Sequence, residues 1–293
     1  MELLSKAFGI YETNCYILKT AMGDFIIDAG VDSAKWVVEN VRNPLAILNT
    51  HGHFDHIWCN AELRKILKVP IYCPKGDAFM LKRDCFDLGL TPCAADFEVE
   101  PNEIFRFGDI AVEFMHFAGH TPGCSMIKIS GGNSSLDKHS ADLLNFTHPL
   151  APSAREGEFF LSLRGDKVAK AIHSVPSLQD SANAESWQST PNCHIERSEI
   201  SQNRDSSLRA PHSVQNDKIN AESNEIYIFS GDFIFYRTIG RSDFPYSSPS
   251  DMRDSLQRFG KISYNATLYP GHGQSTTIKD EQQNLPFYLR AYL

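Results

Sequence analysis

The chain has 293 residues, 42% of them hydrophobic and 22% charged, and a formal net charge of −8. This is enough material to bury a sizeable core, and the acidic balance speaks against a nucleic-acid binder, whose affinity rests on Lys and Arg set against phosphate. No apolar run approaches the ~20 residues that span a bilayer, the first residues carry no basic-then-apolar leader, and the seven cysteines lack any CxxC pair, as expected of reduced thiols in a cytoplasmic protein.

In chain order, short apolar runs predict strands over Leu3–Phe8, Asn14–Leu18 and Asp24–Asp28. A helical period follows over Ser33–Val41, with Trp36, Val37 and Val41 on one face. A strand is expected at Leu45–Asn49, a helix at Asn60–Leu67, and strands at Pro70–Cys73, Ile110–Phe117 and Cys124–Ser130. Three closely spaced strands followed by β-α-β alternation predict a layered α/β protein with a mixed sheet.

Composition then changes. Residues 131–224 contain sixteen Ser and eight Asn, few apolar runs and no sustained period. Such a stretch buries too little apolar area to offset the entropy of ordering its backbone, so it is expected to be a low-complexity, disordered insertion. Beyond it, Ile226–Phe229 and Phe233–Ile239 read as strands, Pro249–Phe259 as a helix and Thr267–Tyr269 as a last strand. The expected organisation is a single domain, residues 1–130 and 225–293, interrupted by the insertion.

The densest chemical signal is Asn49-Thr50-His51-Gly52-His53-Phe54-Asp55-His56, directly after a predicted strand. Three imidazoles and a carboxylate within six residues suit zinc, iron or manganese. His51 and His53, two apart in extended chain, can chelate one ion, while Asp55 and His56 can turn towards a second. With 11 His in the whole chain, this clustering is improbable by chance.

The motif resembles Thr-His-x-His-x-Asp-His of the metallo-β-lactamase superfamily. Further motifs of that family occur in the same order: Asp28-Ala29-Gly30, Gly119-His120-Thr121-Pro122-Gly123, Ser230-Gly231-Asp232 and Gly271-His272. The resemblance implies an αβ/βα four-layer sandwich and two divalent metal ions per chain, most often zinc. It implies that His51, His53 and His120 hold the first ion, that Asp55, His56 and His272 hold the second, and that Asp232 bridges them. Asp28 is expected to orient a ligand by hydrogen bonding, and Asp55 to act in catalysis by orienting a metal-bridging hydroxide. His116 is expected to be structural, and Trp58 and Cys124 to pack.

Ser230-Gly231-Asp232 with Ile239-Gly240-Arg241-Ser242-Asp243-Phe244-Pro245, and Tyr269-Pro270-Gly271-His272-Gly273-Gln274, resemble the glyoxalase II branch. That implies hydrolysis of a small-molecule thioester of the S-acylglutathione type. Full-length glyoxalase II carries a C-terminal helical domain that makes much of the glutathione contact. Only 21 residues follow His272, so a relaxed demand for the glutathione part is expected. Two other readings stand beside it: a mononuclear iron persulfide dioxygenase, and a non-catalytic metal-binding protein of the same fold.

Overall fold

The computed structural model describes residues 1–131 and 225–292. The expected insertion therefore lies outside the described residues, apart from its first residue.

Two six-stranded sheets form the centre. The first takes β1 (Glu2–Phe8), β2 (Thr13–Lys19), β3 (Asp24–Ile27), β4 (Pro44–Leu48), β5 (Ile71–Pro74) and β6 (Phe97–Val99), in that spatial order. Its first three strands pair antiparallel and the rest parallel. The parallel pairs need crossovers, supplied in part by α1 (Ala34–Asn40), α2 (Phe54–Ile57), α3 (Asn60–Leu67) and α4 (Ala78–Lys82).

The second sheet takes β7 (Ile104–Phe107), β8 (Ile110–His116), β9 (Ser125–Ser130) and β10 (Ile226–Gly231), all antiparallel neighbours. After a small hairpin, β11 (Ile234–Phe235) with β12 (Thr238–Ile239), and the helix α5 (Pro249–Phe259), the chain adds β13 (Thr267–Pro270) parallel to β10. The short β14 (Thr276–Thr277) forms the edge, and α6 (Ile278–Arg290) completes the described fold.

Period-two alternation decides which side chains enter which layer. In the first sheet Leu18, Phe25, Leu48 and Tyr72 meet Val112, Phe114, Ile127 and Phe229 of the second sheet in a central core. Their neighbours Ile17, Ile26, Ile47 and Ile71 are equally buried. Ile26, Ile47 and Ile71 pack outwards with Val37 of α1 and Leu63 of α3. Met252, Leu256 and Phe259 of α5 and Leu285 and Tyr288 of α6 cover the other outer face. The result is helix, sheet, sheet, helix: the four layers expected.

One expectation needs correction, and some elements lay outside the predictions. Phe233–Ile239 is not one strand: Arg237 takes a left-handed φ of 58°, and the segment folds back as the β11–β12 hairpin. The short strands β6 and β7 were not predicted, because three or four residues at a sheet edge give little periodic signal. Nor was α6, whose inward face carries Ile278, Leu285 and Tyr288 but also the buried Glu281, and whose interior holds Pro286. Glu281 is accommodated because its carboxylate accepts from Thr276 Oγ1 (2.5 Å), the Arg237 N–H (3.0 Å) and the Tyr288 hydroxyl (2.6 Å).

No helix among the described residues is long and apolar enough to cross a membrane. The six described cysteines are all free thiols, and Cys193 lies outside the described residues. Trp58 packs against the outer core beside α1 and α3, and Cys124 is fully buried, both as expected.

Candidate metal centre

The strand ends of both sheets deliver the predicted residues to one place. His51 and His53 follow β4, Asp55 and His56 lie in α2, His120 sits on the turn between β8 and β9, Asp232 follows β10, and His272 follows β13. Two glycines permit the approach. A Cβ on Gly30 would fall 2.0 Å from the Asp55 carbonyl oxygen, and one on Gly271 would fall 2.1 Å from Asp232 Oδ1.

The donor atoms gather into overlapping triads. His51, His53 and His120 offer nitrogens within 4.8 Å of one another, as do Asp55, His56 and His272 their nitrogen and oxygen donors. Asp232 faces both groups. Its Oδ1 lies 3.3 Å from His56 Nε2, and its Oδ2 lies 3.5 Å from His120 Nε2 and 3.3 Å from His272 Nε2. Asp55 Oδ2 lies 3.4 Å from His56 Nε2 and 3.5 Å from His272 Nε2.

Hydrogen bonds behind the rings set their tautomers. His120 Nδ1 donates to the Arg241 carbonyl (2.7 Å) and His272 Nδ1 to the Tyr11 carbonyl (2.9 Å). His56 Nδ1 donates to Asp28 Oδ2 (3.0 Å). Thr50 Oγ1 gives its proton to Asp28 Oδ2 (2.7 Å), so it accepts from His51 Nδ1 at 3.1 Å. Each of these four rings therefore turns Nε2 towards the cluster, where it can ligate a cation once it carries no proton. The Asp28 backbone, at φ 53°, lies in the left-handed region, where Asp is among the few residues tolerated.

These donors fit divalent cations. His51 Nε2, His56 Nε2 and Asp232 Oδ1 are buried without a hydrogen-bond partner, a costly state for a protein with nothing to place between them. His53 Nδ1 and His120 Nε2 approach to 2.9 Å, and two nitrogens that close require a proton or a cation between them. Nitrogen and carboxylate donors without sulfur suit zinc, iron or manganese.

Protonation in the metal-free protein follows burial and charge. Burial pushes the imidazoles of His51, His53 and His120 down, and the neighbouring imidazoles add to this. They are neutral and ready as ligands. Burial also disfavours charge on His56 and His272, but the carboxylates of Asp55 and Asp232 outweigh it, lifting His56 well up and His272 to about 9. Burial raises the carboxyls of Asp55 and Asp232, yet His56 and His272 hold both below the ordinary range. The Asp55 side of the cluster thus releases protons when a cation enters.

Sequence reasoning missed Asp77, fully buried beneath the site. Its carboxylate accepts from Gly52 N (3.0 Å), Thr121 Oγ1 (2.5 Å) and Gly123 N (2.6 Å). It ties the His51–His53 turn to the His120 turn. Gly76-Asp77 follows a strand end, yet nothing in its spacing marks it. Thr13 was also missed: its hydroxyl donates to Asp55 Oδ2 at 2.8 Å. His116 sits apart from the cluster, with Nε2 3.0 Å from the Pro122 carbonyl.

The model of the metallo-beta-lactamase superfamily matches residues 9–133. An uncharacterized protein of Aquifex aeolicus is 32% identical over 106 residues, 33% of this chain and 50% of the relative, so the match spans half of that protein's length. An uncharacterized protein of Mycobacterium tuberculosis is 23% identical over 95% of this chain and 94% of its own. The human mitochondrial persulfide dioxygenase is 31% identical over 34% of this chain and 35% of its own. Among solved structures, the B3 metallo-beta-lactamase BLEG-1 superposes with a TM-score of 0.58 at 19% identity, covering 98% of this chain and 99% of that one. TTHA1623 in a di-iron-bound form gives 0.56 at 19% identity, covering 97% and 99%. The chain has the metallo-β-lactamase fold, and the superfamily's model matches its first part.

Proposed function

We propose that this protein is a two-metal hydrolase, zinc in both positions, that cleaves a thioester of the S-acylglutathione type. The observation that carries the two-metal reading is the placement of Asp232 between the two triads, with Oδ1 3.3 Å from His56 Nε2 and Oδ2 3.5 Å from His120 Nε2 and 3.3 Å from His272 Nε2. On this reading His51, His53 and His120 hold one ion, Asp55, His56 and His272 the other, and Asp232 both.

Two divalent ions so held would make hydroxide available near neutral pH and polarise a carbonyl oxygen. The chain's own part is to hold and orient. Thr13 fixes one oxygen of Asp55, which leaves that carboxylate able to align the attacking water and take its proton. Asp28, Tyr11 and Arg241 keep the rings from rotating. Water adds to the acyl carbon, the C–S bond breaks, and carboxylate and thiolate result. A thiolate leaves without obligatory protonation, so no separate general acid is asked of these residues. The amine of an opened β-lactam asks more.

The similarity to persulfide dioxygenase favours a second reading, a one-iron oxygenase. It leaves the triad of Asp55, His56 and His272 without a task, and for that reason is the weaker of the two.

The test offers zinc- and iron-loaded protein S-lactoylglutathione, a simple acyl thioester without the peptide, a β-lactam and glutathione persulfide. Thioester turnover with a small penalty for losing the peptide is the expected result. β-Lactam hydrolysis without thioester hydrolysis would sink the proposal, and oxygen uptake with the persulfide would move it to the second reading.

A further inference from the structure

The metal cluster opens on one side. The His51 and His56 side chains are sealed, whereas His272 keeps 28% of its side chain exposed and Asp55 12%. Aromatic rings stand against the cluster. Phe86 stands edge-on to His53 with centroids 5.7 Å apart, and Phe244 lies 6.0 Å from both His53 and His120. Phe54 touches Phe86 (5.9 Å) on one side and Tyr11 (5.3 Å) on the other. Phe244 and Tyr11 remain 38% and 46% exposed, and Ile10 beside Tyr11 is 90% exposed.

These rings come from four separate segments, and the loops carrying two of them are fixed independently. Asp84 accepts the N–H groups of Phe86 (3.3 Å), Gly89 (2.6 Å) and Leu90 (3.1 Å), shaping the loop that carries Phe86. Arg241 lies 4.3 Å over the Phe244 ring and is itself held by Asp243 at 2.7 and 2.8 Å. Ser247 ties the same loop to the His120 carbonyl at 2.7 Å. Exposed and half-buried rings held in place around a reactive centre lose little entropy when they close on a ligand. The cation beside Phe244, Arg241, is paired with Asp243.

We propose that Phe54, Phe86, Phe244 and Tyr11 form a specificity rim that selects substrates with an apolar, preferably aromatic, acyl group beside the scissile bond. This rests on the thioester reading for the bond cleaved, but the rim itself concerns recognition. An aromatic group seated edge-on or offset against such rings gains both area burial and ring-ring contact. Discrimination in an apolar site of this kind runs from about tenfold upwards.

The experiment has two arms. In the first, kcat/KM is compared for the 3-phenylpropanoyl and propanoyl thioesters of one thiol, whose carbonyls are electronically alike. The wild type should favour the aryl compound roughly tenfold or more, mainly through KM. The ratio should fall to near one in F86A/F244A and be partly kept in F86L/F244L, which retains apolar area. In the second, calorimetry compares 3-phenylpropanoate with propanoate, the acyl-side products, on the metal-loaded proteins, after metal content and circular dichroism show that each variant is folded. A tighter aryl carboxylate in wild type that loses its advantage in F86A/F244A supports the rim even if no thioester is cleaved, in which case only the thioester reading falls. Thioester turnover with an aryl-to-alkyl ratio near one, or a ratio unchanged in both variants, overturns the rim and leaves the thioester reading standing.

Discussion

Asp77 Oδ1 accepts the backbone N–H of Gly123 at 2.6 Å, and the same carboxylate reaches Gly52 and Thr121. It thereby clamps the two turns that carry three of the five clustered histidines. An Asn here would turn an amide towards a donor, so Asp77→Asn should cost about 1–3 kcal/mol once the wild-type carboxyl is ionised, above about 6, by leaving a buried donor unsatisfied. A pH-dependent part adds to this. Burial outweighs the three hydrogen bonds and lifts the Asp77 carboxyl from 3.8 to about 6. The folded state therefore holds this proton more tightly than the unfolded chain. Its stabilising effect is complete below about 3.8 and is lost as pH rises through about 6. Denaturant unfolding of metal-free protein should show the wild-type advantage over Asp77→Asn shrinking by about 3 kcal/mol across that window, then levelling. An advantage that grows with pH would contradict the assignment.

Asp28 binds both Thr50 and His56 from behind the cluster, with Oδ2 shared between Thr50 Oγ1 and His56 Nδ1. Asp28→Ala removes the acceptor that fixes two ring tautomers. Metal affinity should drop about 10–100-fold, the range for losing such a supporting partner. Competition with a chelator measures it, and an unchanged affinity would show that the rings hold their orientation without the carboxylate.

The seven clustered residues and Asp28 were legible in the sequence because motif order fixes them. Each strand end that carries a ligand is marked by a short run such as Thr50-His51-Gly52-His53 or Gly271-His272. The strands were legible where an apolar run is continuous, as in β2, or alternates, as in β8, and α3 and α5 match their predicted bounds. Asp77 and Thr13 were not legible, since their partners lie 25 to 46 residues away and only the folded chain brings them together. The β11–β12 hairpin was misread as one strand because apolar residues at 233–235 and 239 mimic a continuous run, while Arg237 at positive φ is not a usual turn signal. In α6, Glu281 and Pro286 break the periodic signal that marks a helix, and the price is met by a local hydrogen-bond network.

Asp232 facing both triads makes a specific statement about stoichiometry. Wild-type protein should bind two ions per chain by elemental analysis. Asp232→Ala should lower occupancy of both positions, whereas His272→Ala should mainly empty the one shared with Asp55 and His56. Wild-type protein that holds one ion at saturation, combined with a fully active His272→Ala variant, would overturn the two-metal arrangement.

The long serine-rich segment leaves and re-enters the fold at one point, since Ser130 pairs with Ile226 across the β9–β10 ladder. The site lies at the opposite end of those strands: the Ser125 N–H donates to the Thr50 carbonyl at 3.0 Å, and β10 delivers Asp232. Five to six residues at about 3.3 Å each put the entry point roughly 17–20 Å from the cluster. We therefore expect that replacing residues 131–224 with a short turn, keeping Glu225 for its ion pair with the Met1 amino group, preserves the metal content. kcat and KM should stay within about twofold, because neither the ligands nor the ring-bearing loops belong to the deleted stretch. A folded deletion variant with two ions but a tenfold lower kcat would show instead that the segment reaches across the sheet to the active site.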